Sequence, residues 1–319
     1  MPMSIFTRRK RTESMTIEED AVRFVRLKSV EPLVIDVAEE VILPPNVVVE
    51  GKIVDSGTLV TILDGAIEQW GISKRSVQFL APDQYVIIRK VPYPDDVMTD
   101  ELKGHFFIEI GSTLYLPFDD PVFDVVPYSP NTETNEAILI ASKEDVLDSY
   151  EDVLKKVKLD PMKADITPLA LYRLAFRQHS FTGKEHILLA DLKHGKLTVS
   201  IFHEHYPLFM RPVDLENSTD LSVVRELNND AGIVTPSTIV MEIEKLINFY
   251  RYNMWNGAAS ITHLVVNGEY SRMEELLSVI RERLALNAEL LVKQPLELST
   301  GEEIPARFNR TIGLALKEV

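Results

Sequence analysis

With 319 residues, 45% of them hydrophobic and 26% charged, the chain is long enough for roughly two domains with a sizeable core. Its 34 basic and 49 acidic side chains give a formal charge of −15, a field that repels a duplex phosphate backbone, so nucleic acid is not an expected partner. The absence of cysteine excludes disulfides, thiolate metal sites and cysteine nucleophiles and fits a reducing compartment; no apolar run approaches the roughly 20 residues that span a bilayer. At the amino end, Ile5 and Phe6 precede a basic cluster, Arg8, Arg9, Lys10 and Arg11. A signal peptide would continue into an apolar segment of roughly 7–15 residues, whereas here the chain turns polar at Thr12. The cluster reads as a solvated terminus, with marginal attraction to anionic lipid as the functional alternative.

Residues 21–27 and 33–43 are rich in Val, Ile and Leu and read as neighbouring strands before the turn at Pro44, Pro45 and Asn46. In residues 58–70, Leu59, Ile62, Leu63, Ala66 and Trp70 recur at helical spacing and Gly71 supplies the stop. Strand character returns at 77–80 and 85–91, a helix opens near Thr99, and 137–141 is a short apolar strand. Ser142 with Asp145 three residues on predicts a capping-box-like start for a helix whose face is Val146, Tyr150, Leu154 and Val157. Residues 187–192 and 197–202 read as a strand pair joined through Lys193, His194, Gly195 and Lys196. Thr235 and Pro236 open the strongest helical signal, with Ile239, Ile243, Ile247, Tyr250 and Met254 on one stripe. A buried-type strand at 264–266, a turn at Asn267 and Gly268, and an amphipathic helix at 273–284 follow. Segments 129–135 and 214–220 read as linkers. Strands alternating with helices in two halves of similar style predict a duplicated α/β architecture.

Three stretches carry a family likeness: residues 82–118, with their strand, Pro-bounded turn, helix and Tyr115-Leu116-Pro117-Phe118; the tail 308–316; and the Leu43-Pro44 turn leading into Glu50-Gly51-Lys52-Ile53-Val54-Asp55. Together they resemble the PilM family of type IV pilus assembly proteins, FtsA-related members of the actin-like group. The likeness extends over nearly the whole chain. It implies an α/β, two-lobed actin-like (ribonuclease H-like) fold with an inserted small α/β subdomain. The first lobe would comprise residues 1–81 and 158–180, the insert 82–157 and the second lobe 181–319.

By the same resemblance the protein is expected to act as a cytoplasmic scaffold at the inner face of the membrane, in a type IV or competence pilus platform. Its partner would be the cytoplasmic N-terminal tail of PilN-like membrane protein, with other platform or motor proteins as further partners and membrane association arising through them. The tail would enter the groove between insert and first lobe, near Leu80, Arg89 and Phe106, with Phe107, Ile110 and Tyr115 adding aromatic and apolar area. The plain alternative is that these residues fill the core of a small subdomain.

Actin-like ATPases hold nucleotide on glycine-bearing loops whose N–H groups approach phosphate closely. Where the family has a Gly-x-Asp-x-Gly loop, this chain has Ser14-Met15-Thr16-Ile17-Glu18. In the second loop Asp191 remains but Lys193 replaces the following glycine, and the adenosine turn is reduced to Asn267 and Gly268. Thr16, Glu18, Asp191, Lys193, Asn267 and Gly268 therefore mark a vestigial nucleotide site. The expectation is no catalysis and no cofactor, with ATP and magnesium bound weakly or not at all. The alternatives are an ATP-dependent switch of the same fold and an actin-fold small-molecule kinase.

His203 and His205, with His194 across a hairpin, have a spacing that could hold zinc, but no motif fixes a third ligand, and solvent-facing histidines are the expected reading. No nucleophile elbow accompanies the serines. The acidic runs at Glu18-Glu19-Asp20, Asp95-Asp96 and Asp119-Asp120 are expected to be solvated surface.

Overall fold

Two five-stranded sheets have the same strand order in the computed structural model, which describes residues 13–128, 135–215 and 234–317. The amino-terminal basic cluster and the greater part of both expected linkers lie outside the described residues. The first sheet contains β1 (Glu13–Ile17), β2 (Ala21–Ser29) and β3 (Val34–Ile42) as an antiparallel meander. After the short hairpin β4 (Val48–Val49) and β5 (Lys52–Ile53) come α1 (Ser56–Trp70) and β6 (Ser76–Ala81), which pairs parallel with β1.

Strand β1 was expected as a loop. It is buried along its whole length because its polar side chains find partners across the sheet: Ser14 accepts from Gln78 at 2.9 Å and Glu13 meets Arg26 at 3.1 Å. Helix α1 forms as its pattern predicts. Asp55 caps the Thr58 N–H at 2.9 Å, Gly71 closes the helix at φ 67°, and Leu59, Leu63, Ala66, Ile67 and Trp70 face the sheet. Trp70 stacks on Phe24 with ring centroids 5.5 Å apart.

The insert is a three-stranded antiparallel sheet, β7 (Val86–Pro92), β8 (Pro121–Tyr128) and β9 (Glu136–Lys143), in the order β7-β9-β8. Helix α2 (Leu102–Glu109) covers one face. The next helix, α3 (Glu144–Lys156), was assigned to the insert on sequence, but it packs on α1 and on β10 (Asp160–Ile166) in the first lobe, so the sheet of the insert ends at Lys143. Nor is there a capping box: Ser142 belongs to β9, and the residue before the helix, Lys143, makes no side-chain cap. Strand β10 then pairs parallel with β6, and α4 (Thr167–His179) leads out of the lobe.

The second sheet repeats the plan with β11 (Ile187–Lys193), β12 (Lys196–His203) and β13 (Tyr206–Asp214) antiparallel, followed by α5 (Pro236–Phe249), β14 (His263–Gly268), α6 (Met273–Leu284) and β15 (Asn287–Leu290). β11–β14 and β14–β15 are parallel, matching β1–β6 and β6–β10. The α5 stripe ends early, because Tyr250 and Met254 fall in a single π turn. Asn267 and Gly268, expected as a turn, are the last residues of β14. Gly268 has φ 117°, and a Cβ there would lie 1.9 Å from the Leu192 carbonyl oxygen.

The chain finishes with α7 (Asn309–Ala315), laid on α4 so closely that a Cβ at Gly313 would fall 2.1 Å from the Ala170 carbonyl oxygen. No helix among the described residues is long and apolar enough to cross a membrane.

Candidate functional site: the cleft between the lobes and the faces of the insert

The turn between β1 and β2 carries Glu18, Glu19 and Asp20; that between β11 and β12 carries Lys193, His194 and Lys196. Equivalent topology puts the two turns opposite each other across the cleft, and they pair. Lys193 Nζ lies 2.5 Å from Glu18 and 2.8 Å from Asp20, at angles outside hydrogen-bond geometry. His194 Nε2 is 3.3 Å from Asp20, and Lys196 donates to Glu19 at 2.8 Å.

Arg310, from α7, completes the network. Its Nε and Nη2 meet Asp191 at 2.8 and 2.6 Å, Nη1 donates to Glu18 at 2.8 Å, and Nη2 is 3.6 Å from Asp83. Behind the acidic turn, the buried Arg23 holds Asp20 and Glu40, each at 2.6 Å, and also Glu18. Asp191 accepts from Asn267 at 2.8 Å, whose own oxygen accepts from Asn309 at 2.8 Å. Thr16 and Thr311 share a hydrogen bond of 2.8 Å.

Burial pushes the Glu18 carboxyl up, but Lys193, Arg310 and Arg23 outweigh it and hold the group below the usual glutamate range. Asp20 is likewise lowered, its burial overcome by His194, Arg23 and Lys193. Burial raises Asp83 in spite of Arg310 nearby. A cavity of about 290 Å³ adjoins the network, with Ile17, Val48, Leu80, Tyr150, Thr198 and Val213 in its wall.

All six residues of the expected vestigial site lie in or beside this cleft, but their surroundings differ from the expectation. The acidic turn is not solvated surface: Glu18 is largely buried and triply paired. Asp95, Asp96, Asp119 and Asp120 are exposed as expected. Sequence reasoning missed Arg310, Arg23 and Asp83. The signal for the pairing was two short hairpin turns of opposite charge, Glu18-Glu19-Asp20 against Lys193-His194-Gly195-Lys196.

The histidines expected on one face diverge. His203 stacks on His186 at 3.9 Å, His205 sits beyond the strand at φ 67° and bonds Tyr172 at 2.9 Å, and His194 faces Asp20.

The expected partner residues are divided among three environments. Leu80 lines the interlobe cavity. Phe106 is only 3% exposed and is core, packed with Leu102, Leu139 and Ala141. Arg89, Phe107, Ile110 and Tyr115 belong to the α2 side, where Arg89 donates to the Tyr115 carbonyl at 2.8 Å and Phe107 is 74% exposed. The other face of the insert follows from register. Val122, Ser142 and Val86 form one row, Asp124, Ile140 and Ile88 the next, and Val126, Ile138 and Lys90 the third. Val86, Ile88 and Ile138 enter the main core, whereas Val122 and Val126 on the edge strand β8 remain partly exposed beside it.

Two sheets of order 3-2-1-4-5 about a shared cleft, with an insert after the fourth strand of the first, define an actin-like fold. The sequence profile described as type IV pilus assembly protein PilM matches residues 15–216, and the chain belongs to this family. A solved PilM-PilN type IV pilus biogenesis complex contains a similar chain, at 18% identity and TM-score 0.72 over 96% of this chain and 98% of that one. The cytoplasmic domain of EpsL, an inner-membrane component of the type II secretion system of Vibrio cholerae, is similar at 12% identity and TM-score 0.50, covering 97% and 96%. Ethanolamine utilization protein EutJ from Carboxydothermus hydrogenoformans follows at 10% and 0.51, covering 96% and 89%. No curated protein matches the chain in sequence. The family gives the protein a role in type IV pilus assembly.

Proposed function

We propose that this chain is a nucleotide-independent scaffold on the cytoplasmic side of the pilus platform, binding the cytoplasmic tail of a PilN-like membrane protein through its insert. The observation that carries the first half is the cleft: Lys193 and Arg310, the cations placed to meet a phosphate, already pair with Glu18, Asp20 and Asp191. A triphosphate would have to displace those pairs and confront the carboxylates they neutralise. The Glu18 N–H, in the turn that would approach phosphate, donates to the Ala21 carbonyl at 3.0 Å. These residues do not fit ATP with magnesium, and neither catalysis nor a cofactor is assigned.

The likeness to a chain solved with PilN supports the partner. The edge strand β8, with Val122 and Val126 partly exposed, suits an extended peptide that adds main-chain hydrogen bonds and fills shallow apolar pockets. The α2 side, with Arg89, Phe107, Ile110 and Tyr115, is the alternative seat.

Fluorescence anisotropy with a synthetic PilN-like tail decides between them. Val126→Glu is expected to weaken binding about tenfold or more, as removal of an interface anchor does, and Phe107→Ala to leave it unchanged. The reverse result moves the site to α2, and absence of binding overturns the partner. Calorimetry with Mg-ATP is expected to give no binding heat; saturable heat would favour the ATP-dependent switch.

A further inference from the structure

The cleft network joins parts of the chain that are far apart and belong to different lobes. The acidic turn extends from the first sheet, the basic turn from the second, and Arg310 reaches between Glu18 of one and Asp191 of the other from a helix seated on the first. We propose that this network is a lock, built into the chain, that fixes the angle between the lobes, with Arg310 and the basic turn acting as the internal counter-ions of the acidic turn. The inference rests on the reading of the cleft as nucleotide-independent.

Both sides of the lock are held rigidly. Arg23 uses all three of its guanidinium nitrogens on Glu18, Asp20 and Glu40, so the acidic turn is oriented from behind before any cation of the other lobe arrives. Asp191 is oriented by Asn267, which Asn309 fixes in turn. Arg310 cannot drift with its helix, because Gly313 contacts the Ala170 backbone directly and Arg173 donates to the Gly313 carbonyl at 3.3 Å. Side-chain exposures of 11% for Glu18, 16% for Arg310 and 2% for Asp191 place these charges where water screens them poorly. In that setting each ion is tolerable only while its partner is in place, so the closed arrangement requires the cations. The outermost pair, Lys196 with Glu19, is 34% and 41% exposed and can be altered without disturbing the buried centre.

The chain contains no cysteine, so Gln69→Cys on α1 and Glu274→Cys on α6 would carry the only two thiols, one on each lobe. Pulsed electron–electron resonance on spin labels at these sites reads the lobe angle. The labelled parent is expected to give one narrow distance distribution, unchanged by Mg-ATP. Arg310→Ala, or Lys193→Met should the first fail to fold, is expected to broaden it toward longer distance. Lys196→Glu is expected to broaden it less, and the exchange Glu19→Lys with Lys196→Glu to restore the parent's distribution. Folded Arg310 or Lys193 variants that keep the parent's distribution overturn the lock, as does an exchange that fails to restore it or a parent distribution that moves with Mg-ATP. Tail binding is a separate readout: its failure removes the proposed partner and leaves the lock standing.

Discussion

The interlobe cleft and the insert solve opposite problems. In the cleft, charged side chains from several segments are largely buried and lie paired with one another. On the insert, apolar side chains such as Phe107, Tyr115, Val122 and Val126 stay in water although a sheet and a helix are at hand to cover them. Paired charge in one place and exposed apolar area in the other are the contrast on which the proposal of an insert-based partner site rests.

The largest effect expected is from Arg310→Ala. It leaves Glu18 and Asp191 without a principal counter-ion in a buried site, and loss of about 3–5 kcal/mol is expected by chemical denaturation. A loss below about 1 kcal/mol, the range of exposed ion pairs, would break the contrast by making the cleft behave as surface.

Phe106→Ala tests the other side. Removing a buried ring from the small core of the insert is expected to cost about 3 kcal/mol or more, seen as local unfolding by hydrogen exchange in β7, β8 and β9. Protection unchanged in those strands would mean that the insert has no core of its own.

The seam between insert and second lobe is expected to respond to pH. Lys90 of β7 lies over the Trp255 ring at 5.7 Å, and Trp255 meets the stacked pair His186 and His203 edge-on. Burial and the neighbouring His203 lower the His186 pKa to about 4 from a reference of 6.5. Between those values the unfolded chain takes up a proton that the folded one refuses. The contribution is thus complete above pH 6.5 and is lost as pH falls toward 4. After allowance for partial exposure it amounts to on the order of 1 kcal/mol. His186→Gln should flatten the slope of stability between pH 6.5 and 4; an unchanged slope assigns the proton uptake elsewhere.

Smallest of all is Phe107→Ala, expected to change stability by less than about 0.5 kcal/mol because the ring is mostly in water. A larger loss in thermal unfolding would show that the ring packs against something and would weaken the case for exposed apolar surface on the insert.

Much of this arrangement was legible in the sequence where the signal is local. The helical spacing of Leu59, Leu63, Ala66 and Trp70, stopped by Gly71, gave α1, and the Thr235-Pro236 start gave α5. Strand β1 escaped because Glu13, Ser14 and Thr16 look polar until Arg26, Gln78 and Thr311 are placed beside them. Adjacent Phe106 and Phe107 could not be sorted without knowing where α2 lies: a helix turns by about 100° per residue, so one ring faces the sheet and the other water.

Composition and periodicity alone determined an α/β chain in two similar halves, and the motif resemblance added the expectation of an eroded nucleotide cleft. The first follows from spacing along the chain, which fixes which side chains a single element can present to one side. Which charges neutralise which was decided only by tertiary structure. Glu18 and Arg310 are 292 residues apart, and Asp191 and Arg310 are 119 apart. Their pairing depends on the two lobes meeting through α4 and α7, with α7 crossing α4 at Gly313, and a Coulomb interaction depends on separation in space, which sequence distance does not encode.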